Sequence, residues 1–109
     1  MKPVITVGIS YRNPGPYFRL ALQSVFAQTF EDWELILLDD GSTDGSADMA
    51  HSIRDSRVRS LSDGHSRGLN ARLNELTSLA QAPYFARMDA DDVLHPERLK
   101  EVTLPWIRL

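Results

Sequence analysis

Trp33-Glu34-Leu35-Ile36-Leu37-Leu38, broken off by Asp39-Asp40-Gly41-Ser42-Thr43-Asp44-Gly45-Ser46, decides the fold. A short, nearly unbroken apolar run predicts a strand, and the dense cluster of turn and cap residues behind it ends that strand sharply. Upstream, Val4-Ile5-Thr6-Val7-Gly8-Ile9 is β-branched and almost continuously apolar, as expected of a strand covered on both faces of a parallel sheet. Between the two strands Pro14, Gly15 and Pro16 interrupt. Phe18, Leu22, Val25 and Phe26 then recur at helical spacing with Pro16 in the first turn, which predicts a helix of about three turns. Downstream, residues 46–53 suit a short helix capped by Asp44 or Ser46, and Val58-Arg59-Ser60-Leu61 suits a third strand. Leu69, Leu73, Leu76 and Ala80 fall on one helical face between Gly68 and Ala82-Pro83. Tyr84-Phe85-Ala86-Arg87-Met88 makes a fourth strand that stops at Asp89-Ala90-Asp91-Asp92, and Pro96 opens a last helix that Pro105 ends. The order β-α-β-α-β-α-β-α predicts an α/β fold: a Rossmann-like, mostly parallel sheet with right-handed crossovers and helices on both faces.

The totals agree with one such unit. With 109 residues, 42% hydrophobic and 25% charged, residues 1–109 form a single domain with a packed core. A net charge of -3 and the lack of a basic run argue against nucleic acid as a partner. The absence of cysteine excludes disulfides and thiolate metal sites. No apolar stretch is long enough to cross a bilayer, so the cytoplasm is the default location. The apolar ending Leu104-Pro105-Trp106-Ile107-Arg108-Leu109 suggests a piece of a longer protein, whose continuation leaves peripheral membrane attachment open.

Ligands of open parallel sheets bind beyond the carboxyl ends of the strands, which is where this sequence gathers its acids. Ser10, Asp39 and Asp40, and Asp89 and Asp91 are all expected at that edge. Asp89-Ala90-Asp91 puts two carboxylates close enough to hold a hard divalent cation, which suits a diphosphate leaving group. Read alone, Asp89 and Asp92 serve equally as turn formers and helix caps, and Asp92 is assigned to that role. Asp91 is the better metal ligand. Thr43 and Asp44 are read as caps, whereas Asp39 and Asp40 have no charged sequence neighbour to neutralise them, and Asp40 is the candidate for base recognition. Arg67 is suited either to a phosphate or to the solvated surface. His51, His65 and His95 lack metal-ligand spacing, and no serine sits in a nucleophile elbow.

Taken together, Ser10-Tyr11-Arg12-Asn13, Gln28-Thr29-Phe30, Asp39-Asp40-Gly41-Ser42-Thr43-Asp44-Gly45 and Asp89-Ala90-Asp91-Asp92 resemble family 2 glycosyltransferases of the GT-A fold, in matching order and spacing. The resemblance implies the N-terminal, nucleotide-sugar-binding half of that fold. It also implies an inverting transfer of sugar from a nucleotide-diphosphate donor, commonly a UDP-sugar, to a saccharide or lipid acceptor, with Mg2+ or Mn2+ on the diphosphate. Carried over by position, Ser10 and Asp40 contact the nucleoside with Asp39 beside them. Arg67 lies near the base or diphosphate, Asp89 near the ribose with a share in the metal, and Asp91 is the metal ligand. The family often has Thr-Tyr-Asn after the first strand, and here an arginine is inserted. The family's general base lies after the Asp-x-Asp helix, and Glu97 and Glu101 do not match it, so these residues alone are expected to bind donor weakly or not at all and to turn over no acceptor. Two other readings compete: a nucleotide-binding or packing module without chemistry, and a haloacid dehalogenase-like phosphatase, whose Asp-x-Asp-x-Val pattern Asp89-Ala90-Asp91-Asp92-Val93 also fits.

Overall fold

The computed structural model describes residues 2–100 and 107–108. Seven of the expected elements appear in the expected order: β1 (Ile5–Tyr11), α1 (Tyr17–Phe26), β2 (Trp33–Asp39), α2 (Ser46–His51), β3 (Val58–Leu61), α3 (Leu69–Leu79) and β4 (Tyr84–Arg87). The strands lie in the order β3-β2-β1-β4, all parallel, and a two-residue strand β5 (Ile107–Arg108) runs antiparallel on the outside of β4. β1 is central. Its register runs from Ile5 opposite Trp33 to Tyr11 opposite Asp39 on one side, and from Ile5 opposite Tyr84 to Gly8 opposite Arg87 on the other. Asp39 and the residues after Arg87 therefore leave the sheet at the same edge.

Strand alternation divides the side chains between two layers. Val7, Ile9, Tyr11, Leu35 and Leu37 pack with Phe18, Ala21, Leu22 and Val25 of α1 and Ala50 of α2. Ile36, Leu38 and Phe85 pack with Leu76 of α3 on the opposite face. Gly8 sits in mid-strand because the Phe85 ring crosses it: a Cβ there would lie 2.6 Å from that ring. Trp33 is fully buried, with Phe26 edge-on at 5.5 Å and the Arg57 guanidinium 3.8 Å over its ring. No helix among the described residues is long and apolar enough to cross a membrane.

Three expectations change. In α3 Leu73, Leu76 and Ala80 pack inward as expected, but Leu69 is 49% exposed and Arg72 is buried beside the apolar stripe. The cause is an ion-pair network around Arg72, described below. The helix expected from Pro96 is a single 3-10 turn (Arg98–Lys100), and the rest of that expectation lies outside the described residues. Here the α1–β2 connection takes the groups a helix would use. The Gln28 amide donates to the His95 carbonyl at 2.8 Å and accepts from Leu99 N–H at 3.0 Å, and Thr29 N–H donates to the Pro96 carbonyl at 2.9 Å. β5 was not anticipated at all.

Candidate functional site

Two loops meet at the carboxyl edge, one after β1 and one after β2. Asn13 stitches them: its side-chain oxygen accepts Thr43 N–H at 2.7 Å, and its own N–H donates to the Ser42 hydroxyl at 2.9 Å. That geometry holds Asn13 at φ 45°, a conformation asparagine tolerates better than most residues. Thr43 is thus a loop contact and does not cap α2. Asp44 does reach the start of α2, its carboxylate accepting Ser46 N–H at 3.0 Å.

Asp39 and Asp40 end β2 as buried carboxylates with their oxygens engaged. Asp39 accepts Ser42 N–H at 2.9 Å and the Ser62 hydroxyl at 2.9 Å. One oxygen of Asp40 accepts Arg67 N–H at 2.6 Å and Arg72 Nε at 2.9 Å; the other accepts the Ser66 hydroxyl and Gly68 N–H, both at 3.3 Å. Gly41 makes this possible, since at φ +83° a Cβ would stand 3.2 Å from the His65 and Ser66 backbone. Arg72, 1% exposed, also bonds Asp63 at 2.9 Å, Glu75 at 3.0 Å and the His65 carbonyl at 2.6 Å. The charge that local sequence left unbalanced at Asp40 is therefore balanced from α3. Arg67, expected to reach a phosphate, is exposed and paired with Asp63 at 3.0 Å, while its backbone serves Asp40.

Burial works to raise the Asp40 pKa, but the hydrogen bonds from Arg67, Arg72 and Gly68 outweigh it and hold the carboxyl below its ordinary range. Asp39 is likewise held low, its bonds from Ser42 and Ser62 overcoming burial, and Arg72 leads the groups that depress Asp63. A carboxyl depressed in the fold adds stability that is fully present above its unfolded pKa, about 3.9 for Asp, and is lost as pH falls through the folded value. Unfolding free energy should thus hold between about pH 7 and 5 and fall below about pH 4. Urea titrations across that range should show a shallower acid fall in Asp40→Asn; an unchanged slope would mean that these bonds contribute no acid dependence.

Asp89, Asp91 and Asp92 form the other half of the edge. Each offers one carboxylate oxygen within 4.8 Å of the others, and all three are exposed. Asp92 closes the turn by accepting Asp89 N–H at 3.1 Å, and Arg87 pairs with Asp89 at 3.2 Å. Asp89 and Asp91 share a cavity of about 230 Å³ with Ser10, Tyr11, Arg12 and Pro14. The structure thus brings Ser10, Asp89 and Asp91 together, and sets Asp39 and Asp40 on the neighbouring strand end in a network of their own. Sequence reasoning missed Asn13 and Arg72; an arginine on the apolar side of a helix was the available signal for the second.

The sequence pattern described as Glycosyl transferase family 2 matches residues 6–108. The chain belongs to glycosyltransferase family 2. Among family relatives, the putative glycosyltransferase EpsE of Bacillus subtilis is 36% identical over 102 residues, covering 91% of this chain and 37% of that protein. The fold is shared with two solved structures. S. aureus TarS 1-349, in complex with UDP-GlcNAc, superposes with a TM-score of 0.83 at 23% identity over 89% of this chain and 29% of that one. The mannosyltransferase PcManGT from Pyrobaculum calidifontis, in complex with GDP-Man and Mn2+, gives 0.77 at 23% identity over 96% and 34%. The chain spans between 11% and 37% of the length of the curated relatives it matches. Family membership sets aside the phosphatase reading, as does topology: that pattern belongs after a first strand, and here it follows β4.

Proposed function

We propose that this chain forms the donor-binding part of a glycosyltransferase that moves a sugar from a nucleoside diphosphate to an acceptor hydroxyl with inversion. The observation that carries this is the joint lining of one cavity at the carboxyl edge by Ser10, Asp89 and Asp91. Relatives bearing glycosyltransferase names and the fold shared with donor-bound enzymes support it. The carboxylates suit Mg2+ or Mn2+, since oxygen donors on a short exposed turn leave room for water and phosphate oxygens. A bound cation would neutralise the charge that develops on the departing diphosphate.

The chain's own residues bind and orient. Asp91 and Asp89 would hold the cation, with Asp89 also near the ribose. Ser10 faces the same space, and Asp39 and Asp40 stand where the nucleoside would lie. Because each of its oxygens already accepts two bonds, Asp40 acts by fixing residues 66–68 and Arg72 beside the nucleoside and not by accepting from the base. Arg67 is given a place at the edge of the base or diphosphate, provided it lets go of Asp63. The proton acceptor for the acceptor hydroxyl is assigned to no residue here.

Calorimetry with UDP and Mn2+ tests the reading. Binding should require the metal, and Asp91→Asn should weaken it by about a hundredfold, equivalent to roughly 2.7 kcal/mol. UDP binding indifferent to both Mn2+ and Asp91 would overturn the assignment, and no binding at any Mn2+ concentration would point to a packing module.

A further inference from the structure

We propose that Arg12 grips the diphosphate of the donor, an inference that rests on the donor-binding reading above. Arg12 lines the same cavity as Asp89 and Asp91, and among the described residues its side chain has no hydrogen bond or ion pair. The other arginines at this edge are engaged: Arg87 with Asp89, Arg67 with Asp63, and Arg72 with Asp40, Asp63 and Glu75. Arg12 is thus the uncommitted cation of the cavity.

Charge balance gives it a task. Asp89, Asp91 and Asp92 bring three negative charges against the one positive charge of Arg87, and a divalent cation cancels the remaining two, so the diphosphate arrives with its own charge uncompensated. A guanidinium offers that charge a planar fork of donors matched to phosphate oxygens.

The backbone on either side of Arg12 is fixed. Tyr11 is buried at the end of β1, its ring 4.5 Å from that of Phe18, and Asn13 is held by its two bonds to the 42–43 segment. Only the side chain must be ordered when ligand binds, which limits the entropy opposing the contact. The arginine that interrupts the family's usual pattern therefore gains a role from its position.

The test uses the chain with Mn2+, inorganic pyrophosphate and UDP as probes, read by calorimetry, with Mn2+ binding alone followed by electron paramagnetic resonance. Arg12→Ala should weaken both pyrophosphate and UDP by about tenfold, the loss expected for one charge-assisted contact, and leave Mn2+ binding unchanged. Arg12→Lys should restore part of the affinity through its point charge. If Arg12→Ala weakens UDP but leaves pyrophosphate unaffected, the side chain serves the nucleoside and the proposal fails. Wild-type affinity in Arg12→Ala for both ligands also overturns it while the donor-binding reading stands. A wild-type chain that takes up neither ligand with Mn2+ overturns both.

Discussion

Replacing Arg72 with alanine should lower the unfolding free energy by about 3–5 kcal/mol, a large part of what a domain of this size holds. The side chain is 1% exposed and bonds Asp40, Asp63, Glu75 and the His65 carbonyl. Truncation strands the Asp40 carboxylate in the interior with its charge partner gone, and residues 63–68 lose what ties them to α3. Lysine should not rescue, because a point charge cannot satisfy acceptors on several sides of a planar fork. Urea denaturation measures the loss. The double variant Asp40→Leu/Arg72→Met separates ion-pair strength from the penalty of an orphaned charge, and it should recover much of the single-variant deficit. A loss below about 1 kcal/mol in Arg72→Ala would put the network among weak surface pairs.

The second large effect is expected from Trp33→Ala, about 3–5 kcal/mol by cavity formation. Trp33 begins β2, fully buried between Phe26 and the Arg57 guanidinium, at the end of the strand away from Asp39. Its removal should cost stability while the folded fraction keeps its Mn2+-dependent affinity for UDP. Chemical denaturation and calorimetry on one preparation check both halves. A lowered affinity at full folding would show the far end of the strand to be coupled to the site.

Most of the architecture was legible because its signals are local. β1 and β2 are apolar runs with abrupt polar ends, α1 has a proline entry and a regular apolar period, and the acidic turns follow strands directly. What escaped was non-local. Asp40 and Arg72 lie 32 positions apart, so nothing adjacent in sequence told of their pairing. The apolar face of α3 was read correctly except for Leu69, and the burial of Arg72 beside it was missed because it depends on a matched set of carboxylates from other segments. In the described part of the last helix, residues 96–100, a 3-10 turn stands because a proline start says nothing of acceptors and donors claimed from elsewhere, here by Gln28 and Thr29. At the site, the types and edge of Ser10, Asp89 and Asp91 were readable. That Asp39 and Asp40 would be engaged within the protein was not.

Asn13 binds the segment after β1 to the segment after β2 through both its side chain and its backbone. Anyone recombining this scaffold with a relative should treat these two segments as one cassette. A crossover between them would set Asn13 against foreign residues in place of Ser42 and Thr43, or Ser42 and Thr43 against a foreign residue in place of Asn13, and the graft would arrive with its seam unsewn.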